Sequence, residues 1–234
     1  LSQLYSDIMT NENLSRRVAS VAGNAEGLNA EQARVAELYH RRFRRSGALL
    51  NETDRDHLKG IMSRLASLGT AFTQNVLADE RAWSLPLGKA DLEGLPQFLR
   101  DALRSSAQER GEEGYLLTLT PALIDPFLKF SPNRELRRKA YAAWTARGAL
   151  GGDTDNRATI AETLALRSER ATMLGYPDFA HFKLEEEMAR TPDRVRNLLT
   201  DVWKPAHAGA LRDHAVLTEY MQKDGLNGPL EAWD

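Results

Sequence analysis

Apolar residues recur along this chain at steps of three and four, the spacing that lays them on one face of an α-helix. Leu28-Asn29-Ala30-Glu31-Gln32 reads as a helix entry, with Asn29 as N-cap and Gln32 reaching back from the third position. Val35, Leu38, Tyr39 and Phe43 continue the stripe to a stop at Gly47. A longer helix is predicted from Asn51–Thr53. Leu58, Ile61, Met62, Leu65, Leu68, Phe72, Val76 and Trp83 keep one face apolar until Pro86 and Gly88. A third helix is expected from Gly94–Pro96 to Gly111.

The period then changes. Tyr115–Thr120 is short, β-prone and bounded by Gly114 and Pro121, and it is the one strand predicted. Ser131-Pro132 predicts a further helix, with Ser as N-cap and Pro at the first position. That helix turns Leu136, Ala140, Ala143 and Trp144 inward and stops at Gly148. Gly151–Asp155 reads as a flexible turn. Ile160–Leu174 is helical up to Gly175-Tyr176-Pro177, and Phe179–Met188 is a short helix. Thr191-Pro192 opens a long helix through Val195, Leu198, Leu199, Val202, Leu211, Leu217, Tyr220 and Met221, ending near Gly225. Pro205 inside it is expected to kink or split it. No fixed-period repeat or low-complexity segment appears. The fold class is therefore mainly α, with one short strand near 115–120 and a sub-boundary expected near 111–131.

Composition narrows the functional classes. The chain has 234 residues, 42% of them hydrophobic, enough for a substantial core in one large or two small domains. Its 31 basic and 33 acidic side chains nearly balance, unlike a dedicated nucleic-acid binder. The absence of cysteine excludes a disulfide scaffold, a cysteine nucleophile and cysteine-ligated zinc. No apolar run is long enough to span a bilayer. LSQLYSDIMTNENLSRR lacks the layout of a signal peptide. It starts on Leu and reads as the inside of a helix, so the chain is expected to have lost its true start.

The candidate chemistry is sparse. YHRRFRRSGALL, from Tyr39 to Leu50, gathers four arginines and a histidine around Phe43. Arg41, Arg42, Arg44 and Arg45 fan out on both sides of Phe43, in the last turn where cations oppose the helix dipole. Glu37 precedes Arg41 by four residues, the favourable order for an ion pair. The reading is a basic helix end with Phe43 in the core; contact with nucleic acid, or with a carboxylate or phosphate, is the alternative. The five histidines stand at 40, 57, 181, 207 and 214, and none belongs to an H-E-x-x-H zinc motif. His181 and Glu185 could touch one ion; His207 and His214 lie two turns apart, too far for one. G-x-S-x-G, P-loop and G-x-G-x-x-G motifs are all absent. Glu185-Glu186-Glu187 is expected on a solvated face, and Trp83, Trp144 and Trp203 in core packing.

Several stretches in order carry a resemblance: RSGALLNETDRDHLKGIMSRLASLGTAFTQNVLADERAW, GYLLTL, SPNRELRRKAYAAWTARG, TIAETLALRSERATMLGYPDFAHFKLEEEMARTPDRV and LEAWD. Together they resemble the zinc oligopeptidases that include thimet oligopeptidase, oligopeptidase A and bacterial peptidyl-dipeptidase. LYHRRFRRSGALL is similar to the peptidyl-dipeptidase branch. The resemblance implies a largely α-helical, two-lobed cytoplasmic enzyme around a narrow channel that admits short peptides. It also implies one zinc, held by H-E-x-x-H and a later Glu, that activates water. This sequence lacks that motif, which the family places beyond the point matching Trp233-Asp234. The chain is thus expected to be an internal piece of a longer peptidase, forming helical scaffold and part of the channel wall. No catalytic, cofactor-binding or metal residue carries over to it. Zinc is expected in the parent and not in this segment, which alone should be inactive. Its implied partners are short peptides and the missing catalytic region, not nucleic acid or membrane. The competing class is a stand-alone helical interaction module without catalysis.

Overall fold

A computed structural model describes residues 4, 8–24 and 26–234. The helical start expected at residues 1–3 and 5–7 lies outside them. Among the described residues are nine α-helices, two short strands and two 3-10 turns. The chain divides into two compact units: Leu1–Leu68 with Ala161–Val195, and Gly69–Ile160 with Arg196–Asp234.

The first unit is helical. Helix α1 (Glu12–Gly23) is capped by Asn11, whose side chain accepts from the Leu14 amide. Helix α2 (Ala30–Arg45) opens on the capping box expected from Asn29 and Gln32, with both reciprocal hydrogen bonds formed. It closes in a Schellman motif. The Gly47 amide donates to the Arg44 carbonyl and the Ala48 amide to Phe43. Gly47 is obligatory there: its φ is +84°, and an added Cβ would lie 2.5 Å from Leu58 Cδ2. Phe43 and Ala48 are buried with Met9 in a small core. Helix α3 (Glu52–Ala82) begins at Asn51, which accepts from the Asp54 amide at 2.9 Å. Residues 52–68 of α3 belong to this unit. So does most of α7 (Arg157–Met173), which ends in a second Schellman motif with Gly175 at φ +81°. That turn delivers Tyr176 back against the helix end, ahead of the short helix α8 (Phe179–Leu184). Leu58, Ala171, Leu174 and Phe182 form the second small core.

The second unit holds the largest core. Strand β1 (Ser84–Leu87) pairs antiparallel with β2 (Tyr115–Thr118), Leu85 opposite Leu117. The expected strand is therefore present, but the segment expected to finish the preceding helix is its partner. Helix α3 stops at Ala82 because the extended Ser-Leu-Pro-Leu run satisfies β2's backbone, which a lone strand could not do. Helix α4 (Gln97–Glu109) and α5 (Pro121–Phe130) bury Leu99, Leu103, Leu123, Ile124 and Phe127 against that ribbon. Helix α5 was not expected. Pro121 occupies its first position instead of merely ending the strand.

Helix α6 (Arg134–Thr145) is capped by Asn133, whose side chain accepts from the Leu136 amide. The expected Ser131-Pro132 cap is thus displaced by two residues, and Ser131 is the C-cap of α5. Asn156 is 1% exposed, and both ends of its side-chain amide are hydrogen-bonded. Its amide nitrogen donates to the Phe72 carbonyl, and its oxygen accepts from Asn75. Helix α9 (Pro192–Lys223) runs through Pro205 as one element, so the expected split does not occur. Trp144 packs against the core as expected, and Trp83 does too. Trp203 does not: it is 64% exposed on α9 and stacks on His207.

Candidate functional site

The arginines of YHRRFRR do not all end in solvent. Arg44 and Arg45 project from the last turn of α2 to a carboxylate 140 residues away. Arg44 pairs with Glu185 and donates to the Tyr176 hydroxyl at 3.1 Å. Arg45 donates to Glu185 Oε2 at 2.9 Å and to the Phe182 carbonyl at 2.7 Å. The Tyr176 hydroxyl donates to the same Glu185 oxygen at 2.5 Å. Glu185 is therefore not on a solvated face, as expected from the acidic run; its side chain is 24% exposed. Burial alone would raise its pKa, but the hydrogen bonds from Tyr176 and Arg45 and the Arg44 charge leave it lowered. Burial likewise pulls on Arg44, and Glu185 outweighs it, so its pKa is raised. Glu186 pairs with Arg45 at 3.6 Å, and Glu187 with Lys183 on the outside.

Beside this network lies a cleft of about 500 Å³. Six arginines line it: Arg34, Arg41, Arg42, Arg45, Arg170 and Arg190. Glu186 is the one acid in the lining. Phe182 floors the cleft, with the guanidinium carbons of Arg45 and Arg170 at 4.0 and 4.6 Å from its ring centre. Arg34 and Arg41 share Glu37, and Arg42 lies over the Tyr39 ring. Arg170 has no carboxylate partner among the described residues, and its Nε is buried without a hydrogen bond. Burial, and then the neighbouring Arg45 charge, lower its pKa. Sequence reasoning passed over Arg170, Arg190 and Tyr176. The only local signal was the Gly175 stop that places Tyr176.

The histidines do not assemble a metal centre. His181 is held by Asp178, the α8 N-cap, while Glu185 turns to the arginines, so the spacing of His181 and Glu185 does not become a shared site. His57 pairs with Glu169 at 2.6 Å. Among the described residues no three His, Cys, Asp or Glu side chains lie close enough to hold an ion. The described residues do not fit a catalytic zinc. Among the described residues no helix is long and apolar enough to cross a membrane.

At the other unit's chain end, Arg134 makes a two-pronged contact to Asp234 at 2.6 and 2.7 Å. Arg137 donates to the Trp233 carbonyl at 2.6 Å and the Ser131 carbonyl at 2.8 Å. The LEAWD stretch is thereby fastened to α6.

Residues 127–234 match the sequence model of peptidase family M3. Oligopeptidase A of Salmonella typhimurium is 32% identical over 212 residues, covering 88% of this chain and 31% of that protein. Dipeptidyl carboxypeptidase of Escherichia coli is 29% identical over 238 residues, covering 100% of this chain and 35% of that protein. Probable cytosolic oligopeptidase A of Arabidopsis thaliana is 30% identical over 217 residues, covering 88% and 31%. The relatives are peptidases by name. The similarity to peptidase family M3 is carried by that C-terminal stretch, just under half of this chain. It spans about a third of the length of the curated relatives it matches.

Proposed function

We propose that this chain is the helical, non-zinc region of a zinc-dependent metallopeptidase that hydrolyses short peptides, as an oligopeptidase or peptidyl-dipeptidase. It supplies scaffold and part of the wall of the substrate channel. The carrying observation is similarity over 88–100% of the chain to oligopeptidase A and dipeptidyl carboxypeptidase. The exposed apolar face of α9 supports the same reading. Leu198, Leu199, Val202 and Trp203 are each more than half exposed on one arc of that helix. Contiguous apolar surface of this kind marks a place where protein packs on protein. A Lewis acid and a general base would come from a catalytic region outside these residues. The proposed partners are short peptides and that region, in the cytoplasm, without nucleic acid or membrane.

The test uses the intact gene product and a fluorogenic short peptide. Hydrolysis that stops on chelation and returns with zinc is the expected result. Hydrolysis that persists after exhaustive chelation, or no hydrolysis of any short peptide, overturns the proposal.

A further inference from the structure

We infer that the arginine-lined cleft of the first unit binds a small anion carrying two or more negative charges, on phosphate or carboxylate groups. The charge count comes first. Seven guanidiniums meet at the cleft and its adjoining network: the six in the lining and Arg44. Three carboxylates face them, Glu37, Glu185 and Glu186. The excess is concentrated in Arg42, Arg170 and Arg190, none of which has a carboxylate partner among the described residues. Arg190 spends one donor on the Glu185 carbonyl at 2.8 Å. Arg42 lies over a ring, which offers no ionic charge.

Arg170 is the more telling residue. A half-buried cation beside another cation is expensive unless a counter-charge is near. Among the described residues its one compensation is the face of Phe182, which Arg45 also uses. A bound anion would supply the missing charge and meet planar forks suited to carboxylate or phosphate oxygens. The backbone at the rim is also unusual. Arg190 sits at φ +65°, a left-handed conformation that side-chain-bearing residues seldom adopt without a reason. The volume exceeds what a lone halide needs and falls within the range of small-ligand pockets. This inference stands apart from the peptidase reading and holds or fails without it.

The experiment is calorimetric titration of the intact protein with inorganic phosphate and, separately, with citrate, at low ionic strength, with chloride as the monovalent control. Saturable one-to-one binding by phosphate, citrate or both is expected, weakening as salt rises. Phosphate alone assigns phosphoryl groups to the natural ligand; citrate alone assigns carboxylates. Arg170→Gln should weaken binding about tenfold or more, equivalent to about 1.4 kcal/mol, with unchanged far-UV circular dichroism. Should that variant fail to fold, the exposed Arg42→Gln decides, with an expected loss of several-fold. No saturable heat from either anion at about 10 mM, well above useful affinities, overturns the inference. So does unchanged affinity in the folded variants, or chloride competing as well as phosphate.

Discussion

Glu185 is where the structure asks most of one side chain. It accepts from Arg44, Arg45 and Tyr176 at once, and Arg170 lies close by on the shared Phe182 ring. Glu185→Ala removes the carboxylate, leaving Arg44 without an acidic partner among the described residues and Arg45 with only the longer contact to Glu186. Breaking a fully buried pair costs about 3–5 kcal/mol. Here the Arg45 side chain is 12% exposed and Glu185 24%, while Arg44 is 42% exposed and recovers water. The expected cost is therefore about 2–3 kcal/mol, with Arg45 carrying most of it. A double-mutant cycle with Arg45→Met isolates that share: a coupling of about 1–2 kcal/mol between positions 45 and 185 is expected. Urea unfolding followed by far-UV circular dichroism measures the stabilities. Amide exchange then locates the loss, which should fall on peptides covering 39–50 and 176–190. All four tryptophans, at 83, 144, 203 and 233, lie in the other unit, so their fluorescence is an internal reference. A coupling below about 0.3 kcal/mol, the ordinary error of additivity, would refute the claim that Glu185 organises the basic end of α2. Because Glu185 has a lowered pKa, its contribution is complete above the ordinary carboxylate range and fades as pH falls through the folded value.

Three other perturbations test the second unit. Gly148→Ala places a Cβ 3.0 Å from Asn156 Nδ2 at φ +73°, so a loss of about 1–2 kcal/mol is expected in urea midpoint; an unchanged midpoint would refute the packing there. Phe127→Ala empties the centre of the largest core and should cost about 3–5 kcal/mol by thermal or urea unfolding, with a cost under about 1 counting against that assignment. Asp234, held by Arg134 first of all, has its pKa lowered to about 2. A lowered carboxylate pKa stabilises the fold above the unfolded value, near 3.9, and that stability is lost as pH falls toward the folded one. Asp234→Asn should therefore cost on the order of 1 kcal/mol at neutral pH, after screening, and progressively less as pH falls from about 4 through 2; a gap between the two proteins that does not narrow across that window would exclude the Arg134 clamp.

The local grammar of the helices was legible. Asn29 with Gln32, Asn51 and Gly47 lie where short-range hydrogen bonds and a positive φ require them, and these are decided within a few residues. What depends on distant partners was not. Ser84–Leu87 has no strand signal of its own, since Pro86 interrupts its donors; it is a strand because Tyr115–Thr118 lies alongside. Pro121 and Pro126 hide α5 from a periodicity scan, although its first-turn Pro is favourable. Glu185 was misread for the same reason. Consecutive acids suggest solvent, and nothing within ten residues announces Arg44 or Arg45 on another helix.

The apolar stripe of α9 carries this limit to its end. Leu198, Leu199, Val202 and Trp203 follow the spacing that elsewhere in the chain fills a core, as Leu99 and Leu103 do on α4. Periodicity says that a face is built to be covered; it does not say by which surface. On α4 the cover is the β-ribbon and α5, within the same unit. On α9 the same pattern stays exposed among the described residues. The chain aligns with only about a third of each relative, and the pattern of α9 by itself names no cover for this face.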